Sequence, residues 1–214
     1  MKINVRTARE EDINFLSWVM FTAAKSHLEK CVWETLLDMT PDEVTQFLKR
    51  VAVSENTHWC HYTKFLIAEV EGKHAGALCT FDPVAEGTAA LSDTILGVAA
   101  ELGFDDNWIN GVLERVILID AATPKDYPDT WGIENVAVRP EFRGRGIVEA
   151  LFEHAMRIAR ASEHEHAQIL CLNGNIRAQR AWERQGFELR ADYQSNAFQK
   201  VFGCPGLKLL AQKL

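Results

Sequence analysis

The segment that most constrains the fold is residues 131–162, where a buried strand leads through a short loop into a helix. Trp131 to Val138 is rich in the β-branched and apolar residues of a buried strand. A loop with two glycines and two arginines follows, and a repeat of apolar residues with helical spacing begins directly after it, from Gly146 to Ser162. A strand that leads into a helix in this way is typical of a mixed α/β domain.

The loop between this strand and helix has the composition of an anion site. Gly144 and Gly146 let the backbone approach a ligand closely because neither carries a Cβ. The N–H groups and the dipole of a helix N-terminus favour an anion, and Arg143 and Arg145 can add charge-assisted hydrogen bonds to phosphate oxygens. The loop therefore predicts a pyrophosphate site. Taken alone, Gly-Arg-Gly is also compatible with an ordinary turn or an RNA-binding segment.

The rest of the chain alternates between strand and helix patterns. Thr40 is the predicted cap of one helix, with Pro41 at its first position and Glu43 completing a capping box. This order predicts one α/β domain over residues 1–214, built around a mainly antiparallel sheet. The predicted strands are residues 3–6, 64–70, 74–81, 131–138, 168–172, 187–193 and 196–202, and the predicted helices are residues 10–27, 41–51, two within 84–130, 146–162 and 175–185.

The composition is that of a globular domain and excludes several classes of protein. Of the 214 residues 47% are hydrophobic and 25% charged, and 23 basic against 30 acidic residues give a net charge of −7. This acidic balance argues against broad nucleic-acid binding. No apolar run approaches the roughly 20 residues that cross a bilayer, and no secretory signal pattern opens the chain. Five scattered cysteines are typical of free thiols. We therefore expect a cytoplasmic protein without a membrane partner.

Two segments resemble the motifs of a known family. Residues 136–147, V-A-V-R-P-E-F-R-G-R-G-I, are similar to the acyl-CoA-binding motif of the GNAT superfamily of N-acyltransferases, Q/R-x-x-G-x-G/A. Arg143 and Gly146 match it, whereas Val148 stands at the position of the last Gly or Ala and adds bulk there. Residues 173–187 resemble the family's N-x-x-A-x-x-L/F-Y-x-x-x-G-F segment. The matching residues of this second segment are Asn175, Ala178, Gly186 and Phe187.

The resemblance covers about residues 131–189 and implies a fold and a co-substrate. The implied fold is a mixed, mainly antiparallel sheet of six to seven strands flanked by helices, with residues 84–130 as a helical insertion. The implied co-substrate is acetyl-CoA or another acyl-CoA, with no metal ion. The implied contacts are Val136, Ala137 and Val138 with the pantetheine arm, Arg143, Gly144, Arg145, Gly146, Ile147 and Val148 with the pyrophosphate, and Asn175 near the thiol end.

Acyl transfer to an amine needs a base for the amine and a donor for the developing oxyanion. Glu134 is the candidate base, because alternation along a strand places it on the same face as Val136 and Val138. The alternative is a structural glutamate paired with a basic neighbour. A backbone N–H of Val136 or Val138 is the candidate oxyanion donor.

The leaving thiolate has no obvious acid in this chain. Trp182 stands where the family often carries a tyrosine proposed to protonate the thiolate, and an indole N–H cannot serve as that acid. The candidate substitutes are Tyr193 and Cys171, although each also fits a packing role. An unperturbed thiol titrates near roughly 8.5, so its thiolate leaves tolerably without help. Slower chemistry is therefore expected rather than inactivity.

Other clusters of polar residues have simpler interpretations. The segments His58–His61 and Glu163–His166 contain possible metal ligands but lack zinc-site spacing, so we expect a loop and a helix end. The predicted core residues include four aromatic side chains, Trp18, Phe21, Trp33 and Trp59. Some of these four are also expected to line the acceptor site.

The sequence thus predicts an N-acetyltransferase. It would transfer an acetyl group from acetyl-CoA to a primary amine of a small molecule, a peptide or a protein, by direct attack in a ternary complex. The alternative is a non-catalytic acyl-CoA-binding sensor or scaffold, and a third hypothesis, an RNA-associated protein, is opposed by the acidic balance. The resemblance also suggests a homodimer, and the insertion either borders the acceptor site or forms a subunit contact.

Overall fold

The computed structural model describes residues 2–214, which form seven strands and nine α-helices. The strands are β1 (Ile3–Thr7), β2 (Phe65–Val70), β3 (Lys73–Phe81), β4 (Thr130–Val138), β5 (His166–Leu172), β6 (Glu188–Asp192) and β7 (Leu207–Lys213). The helices are α1 (Ile13–Lys25), α2 (Val32–Leu37), α3 (Pro41–Val51), α4 (Pro83–Glu86), α5 (Thr88–Glu101), α6 (Asp106–Ala122), α7 (Ile147–Ala161), α8 (Ile176–Arg184) and α9 (Asn196–Phe202).

The strands form one sheet in the order β1-β2-β3-β4-β5-β7-β6. All neighbouring pairs are antiparallel except β4 and β5, which run parallel. The prediction of a mainly antiparallel sheet of six to seven strands flanked by helices is therefore confirmed. The parallel pair lies near the middle of the sheet, where helices cover both faces.

Local signals in the sequence explain several element boundaries. Thr40 accepts a hydrogen bond from the Glu43 N–H, and the Glu43 carboxylate accepts one from the Thr40 N–H at 2.8 Å, so the predicted capping box begins α3. The hairpin between β2 and β3 turns at Glu71 and Gly72, which both have left-handed φ angles of 51° and 74°. This geometry is that of a two-residue hairpin turn.

The prediction of a strand over residues 196–202 is wrong, because these residues form helix α9. Ser195 caps the helix by accepting from the Phe198 N–H, and Gly203 ends it with a left-handed φ of 84°. Phe198 and Phe202, one turn apart, stack on each other and are buried. The last strand follows instead at Leu207–Lys213. Helix α2 was not predicted.

The insertion at residues 84–130 is helical, and two side chains fix it to α2. The Trp108 indole donates to the carbonyl of Leu37 at 2.7 Å, and the Arg115 Nε donates to the carbonyl of Leu36 at 2.8 Å. Asp105 caps α6 by accepting from the Trp108 N–H. The insertion thus belongs to the same hydrophobic cluster as α1, α2 and α3, on one face of the sheet.

The opposite face of the sheet packs against α7 and α8 in a second hydrophobic cluster. Alternate residues of β2, such as Ile67 and Leu66, contribute to the first and the second cluster respectively. Among residues 2–214 no helix is long and apolar enough to cross a membrane.

Candidate active site

The sheet opens between its two parallel strands. Over the described residues, β4 and β5 pair from Thr130 opposite His166 to Ile133 opposite Ile169, and the pairing stops there. Beyond that point β4 continues beside β3 to Val138, while β5 continues beside β7. The two strands therefore leave a gap in the middle of the sheet, directly before the glycine–arginine loop.

Glu134 lies at the point where the strands separate. Its carboxylate accepts a hydrogen bond from the backbone N–H of Leu170 at 2.9 Å, so a side chain takes the place of the missing strand partner. Burial raises the pKa of Glu134 to about 8; the nearby charge of Asp126 also raises it, and the Leu170 N–H lowers it. A carboxyl group with this pKa, beside a gap, is suited to exchange a proton near neutral pH.

The prediction that Glu134 shares a strand face with Val136 and Val138 is wrong, because a bulge separates them. Asn135 has a left-handed φ of 53°, and the register between β3 and β4 shifts at this level. Val136 and Val138 pack against the cluster on the α7 side, whereas the Glu134 carboxylate turns toward β5. The bulge therefore turns Glu134 into the gap.

Asn135 itself is held inside the protein. Its amide nitrogen lies 3.7 Å from the sulfur atoms of both Cys60 and Cys79, and the side chain is buried. Burial raises the pKa of both thiols, so they remain neutral at physiological pH. These contacts hold the bulge in a defined shape.

The raised pKa of Glu134 predicts a pH dependence of stability. Between its ordinary pKa of 4.5 and about 8, the carboxyl is ionised in the unfolded chain and protonated in the folded one. The folded state then binds the extra proton, so stability falls as the pH rises, by at most about 1.4 kcal/mol per pH unit from this group. We expect Glu134→Gln, which does not titrate, to gain melting temperature relative to wild type between pH 5 and pH 8. A difference that does not change with pH would contradict the raised pKa.

The loop before α7 presents open backbone, as an anion site requires. Gly144 and Gly146 have left-handed φ angles of 69° and 80°. A Cβ on Gly144 would meet no other atom within 4 Å, and one on Gly146 would meet only the Cδ1 of Ile3, at 3.9 Å. The space above both glycines is therefore free for a ligand. Arg143 and Arg145 flank them and are exposed.

Helix α7 begins with free N–H groups at this loop. Within the described chain no side chain caps its N-terminus, which starts at Gly146. Arg143 donates through Nε to the carbonyl of Val138 at 3.2 Å, which fixes the loop to the end of β4. Ile147 is buried, and Val148 packs partly against the α7-side cluster. The bulk of Val148 is thus absorbed by the core.

Asn175 stands on the other side of the gap, at the start of α8. Its Oδ1 accepts from the Ala178 N–H at 3.0 Å and so caps the helix, and its amide donates to the hydroxyl of Ser26. Asn175 therefore joins α8 to the end of α1, and it lines the cavity at the gap.

The residues considered as acids differ in their access to the gap. Trp182 is buried, stacks on Phe152 and lines the cavity, and its Nε1 has no hydrogen-bond partner among the described residues. Cys171 also lines the cavity, and burial raises its thiol pKa to about 11. Tyr193 is 42% exposed and lies outside the cavity wall, so it is not placed to protonate a group in the gap.

The histidines of the segment His58–His61 make local hydrogen bonds. The Nε2 of His58 lies 3.1 Å from both the Val51 carbonyl and the Ser54 hydroxyl, and its Nδ1 accepts from the Cys60 N–H. Burial lowers the pKa of His58 to about 4, so the ring is neutral. Both ring nitrogens of His58 are therefore occupied by hydrogen bonds to neighbouring residues of the chain.

One cavity of about 400 Å³ passes through the gap. Its volume lies in the range of small-molecule sites. Glu134 and Val136 line it from β4, and β5 residues line it from the other strand. Residues of α8 close one end, and residues of the α5–α6 insertion form the other. The sequence did not identify the insertion's lining residues, because their apolar stripes are indistinguishable from ordinary core stripes.

The chain is similar to known acetyltransferases in sequence and in fold. The family model for the acetyltransferase (GNAT) family matches residues 33–187. No curated protein matches the chain closely enough in sequence to count as a relative. An acetyltransferase crystal structure has a TM-score of 0.70 at 16% identity, over 98% of each chain. An N-acetyltransferase from Staphylococcus aureus Mu50 has a TM-score of 0.63 at 20% identity, over 98% of this chain and 100% of that one.

A third similar structure carries a ligand. It is a Mycobacterium tuberculosis protein in complex with CoA, with a TM-score of 0.51 at 14% identity over 99% of each chain. These likenesses concern the fold, whereas the family model covers most of the sequence, including both motif segments, the open sheet and the loop before α7. On these grounds the chain belongs to the GNAT family of acetyltransferases.

Proposed function

We propose that this acetyltransferase moves the acetyl group of acetyl-CoA to a primary amine, by direct attack with both substrates bound. The observation that carries the proposal is the gap between β4 and β5, with Glu134 inside it and an uncapped helix N-terminus beside it. The gap offers a route through the sheet, and the loop offers N–H groups for an anion at its edge.

The residues around the gap fit acetyl-CoA in three parts. The loop from Arg143 to Val148 supplies free N–H groups, open space above its glycines and two exposed guanidinium groups, which together suit a pyrophosphate. Val136, Ala137 and Val138 lie on the strand edge that faces the gap, where their backbone can bond an amide-containing arm. Asn175 lines the same cavity, where its side chain would lie near the thiol end of the co-substrate. A similar fold crystallised with CoA supports this assignment.

Glu134 is proposed as the base for the incoming amine. A protonated amine gives one proton to the carboxylate, directly or through a water molecule, and the neutral nitrogen then attacks the thioester carbonyl carbon. The new C–N bond forms as negative charge develops on the oxygen. A backbone N–H of Val136 or Val138 would stabilise that charge. The C–S bond then breaks and releases the thiolate. The nitrogen loses its second proton and the thiolate gains one, which gives an amide and free CoA.

The departing thiolate would leave into a wall that contains Trp182. An indole N–H is too weak an acid to give up its proton, but as a donor without a partner it can hydrogen-bond to a sulfur. The chemistry therefore needs no protein acid at this position, because an unperturbed thiol is already a tolerable leaving group. The sensor or scaffold alternative rests on the same tryptophan and on Val148, and it predicts binding of acetyl-CoA without transfer.

The test of the proposal is acetyl transfer by the purified chain. We expect release of free CoA from acetyl-CoA to depend on an added primary amine, with the amide product identified by mass spectrometry. Stabilisation by acetyl-CoA without CoA release, over a panel that includes apolar, polar, amino-acid and peptide amines, would favour the sensor or scaffold instead.

A further inference from the structure

The part of the cavity beyond the gap is lined mainly by apolar side chains. From the gap it extends toward the insertion, between side chains of α2, β3, α5 and α6. Trp33 and Trp59 lie with ring centroids 6.5 Å apart, and Trp59 stacks on Phe81 at 6.0 Å. The aliphatic residues of this part of the wall include Leu91, Ile95, Val112, Val116 and Ile119. This end of the cavity is therefore apolar and partly aromatic.

The charged residues of the cavity wall all carry the same sign. They are Glu134 at the gap, Asp120 at the end of α6 and Asp126 in the loop before β4. Of the lining residues, all of which lie in the described part of the chain, none is a lysine, an arginine or a histidine. The wall thus has groups that attract a cation and none that would pair with an anion.

Several polar side chains of the wall are already engaged with the protein. Gln168 accepts from the Tyr127 N–H and donates to Asp126, and the Thr123 hydroxyl donates to the Ile119 carbonyl at 2.8 Å. Asn175 caps α8 and bonds to Ser26. A ligand rich in hydroxyl or amide groups would lose its hydrogen bonds to water here and regain few of them.

We propose that the acceptor is a small primary amine that carries one aromatic or branched aliphatic group and no carboxylate. This inference rests on the proposed function, since it places the amine nitrogen at Glu134 and the apolar group among Trp33, Trp59 and the insertion. An ammonium ion is attracted by the carboxylates of Asp120 and Asp126, and also by Glu134 in its ionised form, and the apolar group gains from burial. An amino acid would bring its own carboxylate into an acidic, apolar cavity, where like charges repel. A long acyl chain would pack against the apolar walls but would offer the carboxylates no cation to pair with.

The direct test compares two probes that differ by one carboxylate. Binding of 2-phenylethylamine and of phenylalanine is measured by calorimetry with CoA present, and acetyl transfer to each is measured with acetyl-CoA. We expect 2-phenylethylamine to bind at least about tenfold more tightly, and to be acetylated with the higher kcat/KM. Ethanolamine, which lacks the apolar group, is expected to bind more weakly than 2-phenylethylamine as well.

Two exposed carboxylates of the cavity wall, Asp120 and Asp126, are expected to contribute to binding of the amine, and neutral variants test this contribution. Asp120→Asn and Asp126→Asn are each expected to raise the Kd of 2-phenylethylamine about two- to fivefold, as for exposed ion pairs. Asp93→Asn is the matched control, because Asp93 is exposed on α5 and does not line the cavity. It should leave that Kd unchanged.

The outcomes separate this inference from the proposed function. Equal or tighter binding of phenylalanine or ethanolamine overturns the inference, even where acetyl transfer occurs. Absence of binding by 2-phenylethylamine, together with tighter binding of phenylacetyl-CoA than of acetyl-CoA, also overturns it and assigns the walls to the acyl group. If 2-phenylethylamine binds with the expected preference but no amine is acetylated, the proposed function fails while the inferred occupant of the cavity stands.

Discussion

Gly146→Glu is expected to abolish the stabilisation of the protein by acetyl-CoA. In wild type, acetyl-CoA at 100 times its Kd should add about 2.7 kcal/mol of stability, which raises the melting temperature of a domain of this size by about 5–10 °C. The glutamate would place a carboxylate directly above the free N–H groups of α7, in the open space that Gly146 leaves. It would occupy the anion site and repel a pyrophosphate, so we expect the Kd to rise at least about 100-fold.

A second glycine provides the matched control for this substitution. Gly103 has a φ of 77°, close to the 80° of Gly146, and a Cβ there would meet nothing within 4 Å, whereas one on Gly146 would meet only the Cδ1 of Ile3, at 3.9 Å. Each substitution therefore costs about the same left-handed backbone strain, roughly 1–2 kcal/mol, and adds the same charge. Gly103 lies after α5, away from the loop and the cavity wall. Gly103→Glu should lower the melting temperature of the free protein but keep the full response to acetyl-CoA.

Two results would contradict the placement of the pyrophosphate. One is a Gly146→Glu protein that responds to acetyl-CoA as wild type does, and the other is an equal loss of response in Gly103→Glu. Thermal-shift titrations of the three proteins with acetyl-CoA distinguish these cases, because the melting temperature without ligand reports the strain and its increase with ligand reports binding.

The parts of the molecule that follow from local signals could be predicted from the sequence. The capping box of Thr40 and Glu43 and the strand–loop–helix order around Gly146 depend on residues within a few positions of each other, and both elements of structure are found as expected. The prediction of a strand over residues 196–202 is wrong, although the signals for a helix there are also local. Ser195 and Gly203 are helix-end signals, and Phe198 and Phe202 are one helical turn apart, so these local residues favour a helix.

The geometry of the candidate site depends on contacts that are distant in sequence. Glu134 could be named as a candidate from its strand, but its hydrogen bond to Leu170 spans 36 positions. The bulge at Asn135 depends on the packing of its amide against Cys60 and Cys79, which are 75 and 56 positions away. No local pattern encodes these contacts. The acidic, apolar cavity likewise appears only when the insertion is placed beside the gap.

Glu134→Gln is expected to lower kcat by about 10²–10⁴-fold, the usual contribution of a positioned base. The glutamine oxygen can still accept the hydrogen bond from the Leu170 N–H, so the end of the parallel pair should keep its shape. We therefore expect the stabilisation by acetyl-CoA to stay near the wild-type value. Glu153→Gln is the control, because Glu153 is exposed on α7, and it should retain wild-type rates.

The pH profile shows whether the lost rate belongs to a base. With a pKa of about 8, only about a tenth of Glu134 is ionised at pH 7. Because the ionised form accepts the proton, kcat/KM in wild type should rise with pH and level off above about 8. The same limb should be missing in Glu134→Gln. A profile unchanged in shape and height would remove Glu134 as the base and leave it the structural role of pairing with Leu170.

If the amine instead loses its proton in solution before it binds, kcat/KM also rises with pH, and a second substrate separates the two cases. An analogue of 2-phenylethylamine with fluorine next to the amino-bearing carbon has a more acidic ammonium group, so the limb that belongs to the amine moves to lower pH. The limb that belongs to Glu134 depends on the free enzyme and should stay at the same pH with both amines. If every limb moves with the amine, the protein supplies no titrating base, and deprotonation of the amine in solution accounts for the whole pH dependence.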